Sequence, residues 1–266
     1  MELTIYQVDA FTDRLFSGNP AAICMLQEWL PDTLLLSIAQ ENNLSETAYI
    51  VPESDGYRLR WFTPTTEVTL CGHATLAAAH VLYNHLGYEA DKVIFHTLSG
   101  ALTVKRTADG YMMNFPTDTL RQVSAPLALI VALGITPSKV FLGREDYLAV
   151  LENRPQVAGL HPDFAALRRL QGRGVIVTAP CDDCSADFVS RCFYPNAGID
   201  EDPVTGSAHT TMAPYWAERL GKAELFARQI SRRGGTLKCR LLDDRVELIG
   251  HAITYMTGTA HIANID

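Results

Sequence analysis

The sequence predicts an α+β protein of two similar lobes. Three features carry that expectation: an internal repeat, a set of short strand-like segments in each half, and two glycine-bounded helical segments at matching positions.

The repeat fixes the organisation. Arg60-Trp-Phe-Thr-Pro64 has the shape of Arg191-Cys-Phe-Tyr-Pro195, 131 residues on (60 to 191). Cys71-Gly72-His73-Ala74 lines up with Thr205-Gly206-Ser207-Ala208 at a spacing of 134 (71 to 205). Ala79 then meets Ala213, Leu86-Gly87 meets Leu220-Gly221, and Ser99-Gly100 meets Gly234-Gly235; upstream, Pro31-Asp32 meets Pro162-Asp163. Ordered matches at nearly constant spacing predict one duplicated unit, and two copies are too few for a solenoid. Turn residues Thr117, Asp118, Ser124 and Pro126 put the boundary near residues 117–125, giving an N-terminal lobe over 1–120 and a C-terminal lobe over 121–266.

Strands are expected at Thr47–Val51, Tyr57–Phe62, Lys92–His96, Ala101–Arg106 and Tyr111–Phe115, partly alternating and broken by Gly, Asp or Pro. Gly174–Thr178, Asp187–Phe193, Leu237–Leu241 and Arg245–Ile249 match them in the second half. The short connections favour antiparallel or mixed sheets.

The helical segments run over 72–87 and 206–221, each opening on a glycine and closing on one suited to the left-handed end of a helix. Ala74, Ala77, Ala78 and Ala79 leave little bulk on the first, so it can lie close to surrounding strands and be largely buried. Pro214 should kink the second or demand a local adjustment.

Composition narrows the function classes. The 266 residues are 47% hydrophobic and 20% charged, a globular balance with a core of useful size. A net charge of −8 argues against nucleic acid or an anionic membrane as partner. The one dense basic stretch, Arg228 to Arg233, reads as a solvated edge. The N-terminus lacks the basic end and apolar core of a secretory signal, and no run of about 18 apolar residues occurs, so a cytoplasmic protein is expected. Most of the six scattered cysteines are expected as buried thiols, and Cys181-Asp-Asp-Cys184, lacking a second pair for zinc, as an ordinary loop.

A glycine at a helix start lets unpaired amides approach an anion, and the helix dipole adds roughly half a positive charge there. Gly72 and Gly206 offer this twice, and if the lobes are related by an approximate two-fold they would face one cleft suited to a small carboxylate. His73 and Ser207 follow the two glycines, and Asp202, held extended by Pro203, can turn its carboxylate toward the second helix start. Glu46 stands at a helix-to-strand corner beside an apolar strand, whereas the matching segment Gly172-Arg-Gly-Val-Ile carries no acid. A carbon-acid base needs a pKa lifted from ~4.3 toward neutrality, which apolar burial can supply.

Six ordered motifs go further. Val8-Asp-Ala-Phe-Thr12, Phe16-Ser-Gly-Asn-Pro-Ala-Ala22, Leu44-Ser-Glu-Thr-Ala48, Trp61-Phe-Thr-Pro64, Leu70-Cys-Gly-His-Ala-Thr75 and Glu201-Asp-Pro-Val-Thr-Gly-Ser-Ala208 together resemble the phenazine-biosynthesis PhzF-like family over essentially the whole chain. The resemblance implies a diaminopimelate-epimerase-like fold, two lobes each with a mostly antiparallel sheet wrapped around a central helix, commonly as a homodimer. It further implies a cofactor-independent isomerase that shifts a proton within a small unsaturated carboxylate. Glu46 would be the acid/base; His73, Asp202 and Ser207 would line the site with Asn19 and Ser45 nearby; the amides of Gly72 and Gly206 would hold the carboxylate. No metal or organic cofactor is expected.

Rival readings differ in their residues. A two-thiol epimerase would pair Cys71 with the residue that is here Thr205, a poor acid at neutral pH. A serine hydrolase built on Ser207, His73 and Asp202 would lack the G-x-S-x-G elbow. A carboxylate-binding protein without catalysis could use the same scaffold.

Overall fold

The computed structural model describes residues 1–182 and 185–262. The chain divides into two compact units, residues 1–114 together with the segment from Ile249 onward, and Phe115–Leu248.

The first unit contains β1 (Glu2–Ala10), β2 (Asn19–Met25), α1 (Asp32–Asn42), β3 (Glu46–Glu53), β4 (Gly56–Phe62), β5 (Glu67–Val68), α2 (Gly72–His85), β6 (Lys92–Thr97), β7 (Gly100–Thr107) and β8 (Gly110–Pro116), which runs across the division. The second contains β9 (Arg121–Val123), α3 (Leu127–Leu133), β10 (Lys139–Leu142), β11 (Asp146–Val150), α4 (Arg154–Ala158), α5 (Phe164–Leu167), β12 (Gly174–Pro180), β13 (Phe188–Tyr194), β14 (Ile199–Asp202), α6 (Gly206–Leu220), β15 (Glu224–Gln229), β16 (Gly235–Leu242) and β17 (Arg245–Gly250), which also runs across the division. The last strand, β18 (Ala252–His261), belongs to the first unit.

Strand pairing repeats between the units. In the first, β1–β2 is antiparallel, β2–β3 parallel, β3–β4 and β4–β5 antiparallel, β4–β6 parallel and β6–β7 antiparallel. In the second, β10–β11, β11–β12, β12–β13, β13–β14, β13–β15 and β15–β16 follow the same sequence of directions. The duplication is therefore one of topology as well as of sequence.

Within each sheet a strand buries both faces, because helices lie on both. In β3, Tyr49 and Val51 pack on Leu35, Ile38 and Ala39 of α1. By the two-residue alternation of a strand, Glu46, Ala48 and Ile50 point to the opposite face, where α2 packs against β1, β2 and β3. Small residues let α2 come close: every residue from His73 to Tyr83 is buried. In the second unit Val175, Val177 and Ala179 of β12 join the core under α3 and α5. Thr178, on the other face, accepts a hydrogen bond from Trp216 Nε1 of α6 at 3.0 Å.

The helix ends agree with the sequence to within two residues. Gly87 and Gly221 both take positive φ, 68° and 64°. Pro214 removes one helical N–H, and the Thr210 carbonyl thereby released accepts the Asp118 amide at 3.2 Å instead.

Two expectations need correction. The units do not follow a single cut near residue 120, because β18 returns to pair with β1 along its length, from Ala10↔Ala252 to Glu2↔His261. That pairing covers a strand edge that the N-terminal segment alone would leave open. The basic stretch is also not wholly a solvated edge: Arg228 and Arg232 are exposed, but Gln229 between them is fully buried. The Cys181-x-x-Cys184 loop includes Asp183 and Cys184, which lie outside the described residues.

Candidate active site

In the first unit, local structure brings four of the sequence candidates together. The α1 helix ends on Asn43 in the left-handed conformation (φ 47°), and Asn42 Nδ2 donates to Thr47 Oγ1 at 3.0 Å, fastening the corner from which β3 leaves. Glu46 is the first residue of β3 and opposes Ala21 of β2, two residues beyond Asn19. Both face the start of α2.

His73 lies in the first turn of α2, and its Nε2 approaches Glu46 Oε2 at 3.2 Å. Its other ring nitrogen, Nδ1, is 3.3 Å from Asn19 Nδ2 and 3.4 Å from Cys71 Sγ. Ser45 donates its hydroxyl to Asn19 Oδ1 at 3.3 Å. Glu46, His73, Asn19 and Cys71 are all buried. Desolvation by burial pushes the His73 imidazole down to about 3, so the ring is neutral at physiological pH.

Cys71 occupies the N-cap of α2 with extended backbone (φ −145°, ψ 108°) and makes no side-chain cap. The amides of the first turn, Gly72 onward, are left without intrahelical acceptors and suit an anion. Glu46, Cys71 and His73 also offer metal-ligand atoms within 4.8 Å of one another, as do the more exposed Glu53, Asp55 and His96. In the buried set the two imidazole nitrogens face different groups and the positive helix end lies beside them, an arrangement better matched to proton handling than to a cation.

In the second unit Asp202 closes β14, and the Thr205 hydroxyl, at the N-cap of α6, donates to Asp202 Oδ2. Gln229 ties the turn: its Nε2 donates to the Asp202 carbonyl at 2.7 Å and its Oε1 accepts the Thr205 amide at 2.9 Å. Thr205 repeats the extended N-cap of Cys71 (φ −111°, ψ 102°), again without a side-chain cap to the helix. Gly206 is buried, and Ser207 Oγ accepts from Arg173 Nη2 at 3.2 Å. Arg173 is held by Asp146 through its Nε and Nη2 and stacks on the Tyr194 ring at 4.8 Å.

The sequence reading weighed Cys71 only as a thiol of the epimerase rival, and it missed Arg173 and Gln229. Arg173 left a signal, being a cation between two glycines just before a strand. Gln229 left none, hidden in a basic stretch that hydropathy assigns to solvent.

The positional equivalent of Glu46 is Gly174. Thr47 faces Phe62 across β3–β4, Val175 faces Phe193 across β12–β13, and Glu46 and Gly174 each precede that pair. A Cβ at Gly174 would lie 2.2 Å from the Phe193 carbonyl oxygen and 2.4 Å from Tyr194 Cδ1. The second unit thus has no room for an acid, or any side chain, where the first carries Glu46.

Residues 8–258 match the family model described as phenazine biosynthesis-like protein. An uncharacterized isomerase of Pseudomonas aeruginosa is 52% identical over 262 residues, covering 98% of this chain and all of that one. A crystal structure of a phenazine biosynthesis protein of the PhzF family from Enterococcus faecalis superposes with a TM-score of 0.95 at 45% identity, covering 98% of this chain and 100% of the other. A hydroxyproline epimerase from Agrobacterium vitis shares the fold alone, with a TM-score of 0.58 and 11% identity over 97% of this chain and 92% of that one. Among the described residues no helix is long and apolar enough to cross a membrane.

Proposed function

The chain belongs to the phenazine biosynthesis-like family, and from that membership and the buried Glu46–His73 pair we propose that it is a cofactor-independent isomerase. It shifts a proton within a small unsaturated carboxylate, with Glu46 taking the proton from one carbon and returning it to another. The observation that carries this reading is the Glu46 carboxylate beside a neutral, buried imidazole, 3.2 Å from its Nε2. The isomerase class is supported by relatives that bear that name at 52%, 49% and 47% identity.

The chemistry follows from the groups. A carbon acid loses its proton only if the resulting charge is held, and the uncapped amides at Gly72 supply donors for a substrate carboxylate. The proposal extends to Asp202, Ser207 and the Gly206 amide as substrate-holding groups of the second unit, and to Ser45 and Asn19 in the first. Because Gly174 excludes an acid from the equivalent position, Glu46 acts as a single shuttle rather than as one of two opposed bases. A homodimeric assembly and a cytoplasmic location complete the proposal.

A panel of 2,3-unsaturated and cyclohexadiene carboxylates in deuterated water tests the reaction class by NMR. Enzyme-dependent loss of a carbon-bound proton from at least one member is expected. Saturable binding across the panel with no exchange would replace the isomerase by a carboxylate-binding protein.

A further inference from the structure

The hydrogen-bond chain from Ser45 through Asn19 to His73, beside Glu46, admits two states, and only one suits a base. An asparagine Nδ2 donates and cannot accept, so its contact with His73 Nδ1 at 3.3 Å requires a lone pair on that nitrogen. The neutral ring then carries its proton on Nε2, the nitrogen 3.2 Å from Glu46 Oε2, so that a polar N–H rather than a lone pair lies beside the carboxylate, without the alignment of a hydrogen bond. In the opposite state the Asn19 amide is turned, its oxygen accepts from an Nδ1–H, and the bare Nε2 faces the carboxylate. Two lone pairs at 3.2 Å repel, so that state needs Glu46 protonated.

The neighbours favour the first state. Ser45 Oγ donates to Asn19 Oδ1 at 3.3 Å, holding the amide with its NH₂ toward the imidazole, and the Cys71 thiol lies 3.4 Å from the same Nδ1 and can donate to it. Asn19 is fully buried, so no water competes for its amide.

We propose that Asn19, oriented by Ser45, is a positioning residue that locks His73 in the Nε2–H tautomer and thereby keeps Glu46 ionised and ready to take a proton. Asn19 and Ser45 thus act on the base through His73, beside the substrate-holding role proposed above. The inference rests on Glu46 being the base, as proposed above.

The test is 15N NMR of the His73 ring, which needs no substrate, in the wild type and in Asn19→Asp, whose buried carboxylate can only accept when ionised. The wild type is expected to show a protonated Nε2 and a bare Nδ1 throughout pH 5–8. Asn19→Asp is expected to move the proton to Nδ1 and to slow substrate exchange by about a hundredfold or more, within the range for disabling an acid/base group. Should that variant not fold, Asn19→Ala, which removes the donor without adding charge, is expected to give a mixture of tautomers. An Nε2–H tautomer persisting unchanged in the folded variants overturns the proposal, as does a switched tautomer with undiminished exchange. Failure of the isomerase reading would look different: a switched tautomer with no exchange by any form of the protein, wild type included.

Discussion

The two units share one plan of strand pairing and differ where chemistry would occur. The first has Glu46, Cys71 and His73; at the matching places the second has Gly174, Thr205 and Ser207. The backbone carbonyl of Phe193 and the ring of Tyr194 fill the space that Glu46 has for its side chain. A duplicated scaffold can therefore keep its strand pairing and both helix starts while only one copy carries an acid at this position. The asymmetry is steric as well as chemical: the second unit has no room for a side chain at this position, and the Arg173 guanidinium stacks on the Tyr194 ring beside it.

Acid should expose the largest difference between the units. Burial holds His73 at about 3 and His80 at about 4 in the first unit, and His209 at about 4 in the second, all below the ordinary value of 6.5. A histidine that resists protonation when folded leaves the unfolded chain binding more protons between its two pKa values. Stability is therefore intact above pH ~6.5 and lost as pH falls through that window. Each histidine contributes on the order of 3 kcal/mol between pH 6.5 and 4, at about 1.4 kcal/mol per pH unit. Hydrogen exchange followed by mass spectrometry should show α2, which carries two of these rings, losing protection at a higher pH than α6, which carries one. Equal loss in both helices would break the comparison.

Next comes the steric claim. Gly174→Ala should cost about 3 kcal/mol in urea denaturation, since the nearest obstacle is backbone rather than a flexible side chain. A variant as stable as the parent would show that Gly174 is a choice and not a necessity.

The smallest effect concerns the N-caps. Thr205→Val removes the hydroxyl that donates to the buried Asp202 carboxyl and should cost about 2 kcal/mol, within the range for taking a donor from a buried acceptor. Cys71→Ala removes a weaker contact, that of the thiol with His73 Nδ1 at 3.4 Å, and should cost less. Reversal of that order would mean that the thiol, not the hydroxyl, organises its helix start.

Much of this was legible in the sequence, and the limits have physical causes. The repeat and the paired glycines marked both central helices, because a helix end leaves a local signature in Gly87 and Gly221. Glu46 was visible as an acid without a counterpart, though its role came from the family motif. The return of β18 to β1 was not legible, since a pairing over 250 residues of sequence leaves no local trace. The reason for the missing acid was also hidden: Gly174 looks like any glycine at the start of a strand until Tyr194 is seen against it. Likewise Asn19 drew notice through its motif, while its bearing on the His73 tautomer needed the distances.

The central claim, one base in one unit, is tested most directly by the rate of deuterium exchange into an exchanging unsaturated carboxylate, measured for the wild type and for Glu46→Gln. The amide keeps the shape and loses the proton acceptor, so the rate should fall by about 10² to 10⁴-fold with folding unchanged. Exchange by Glu46→Gln at the wild-type rate would contradict the account and move the base elsewhere.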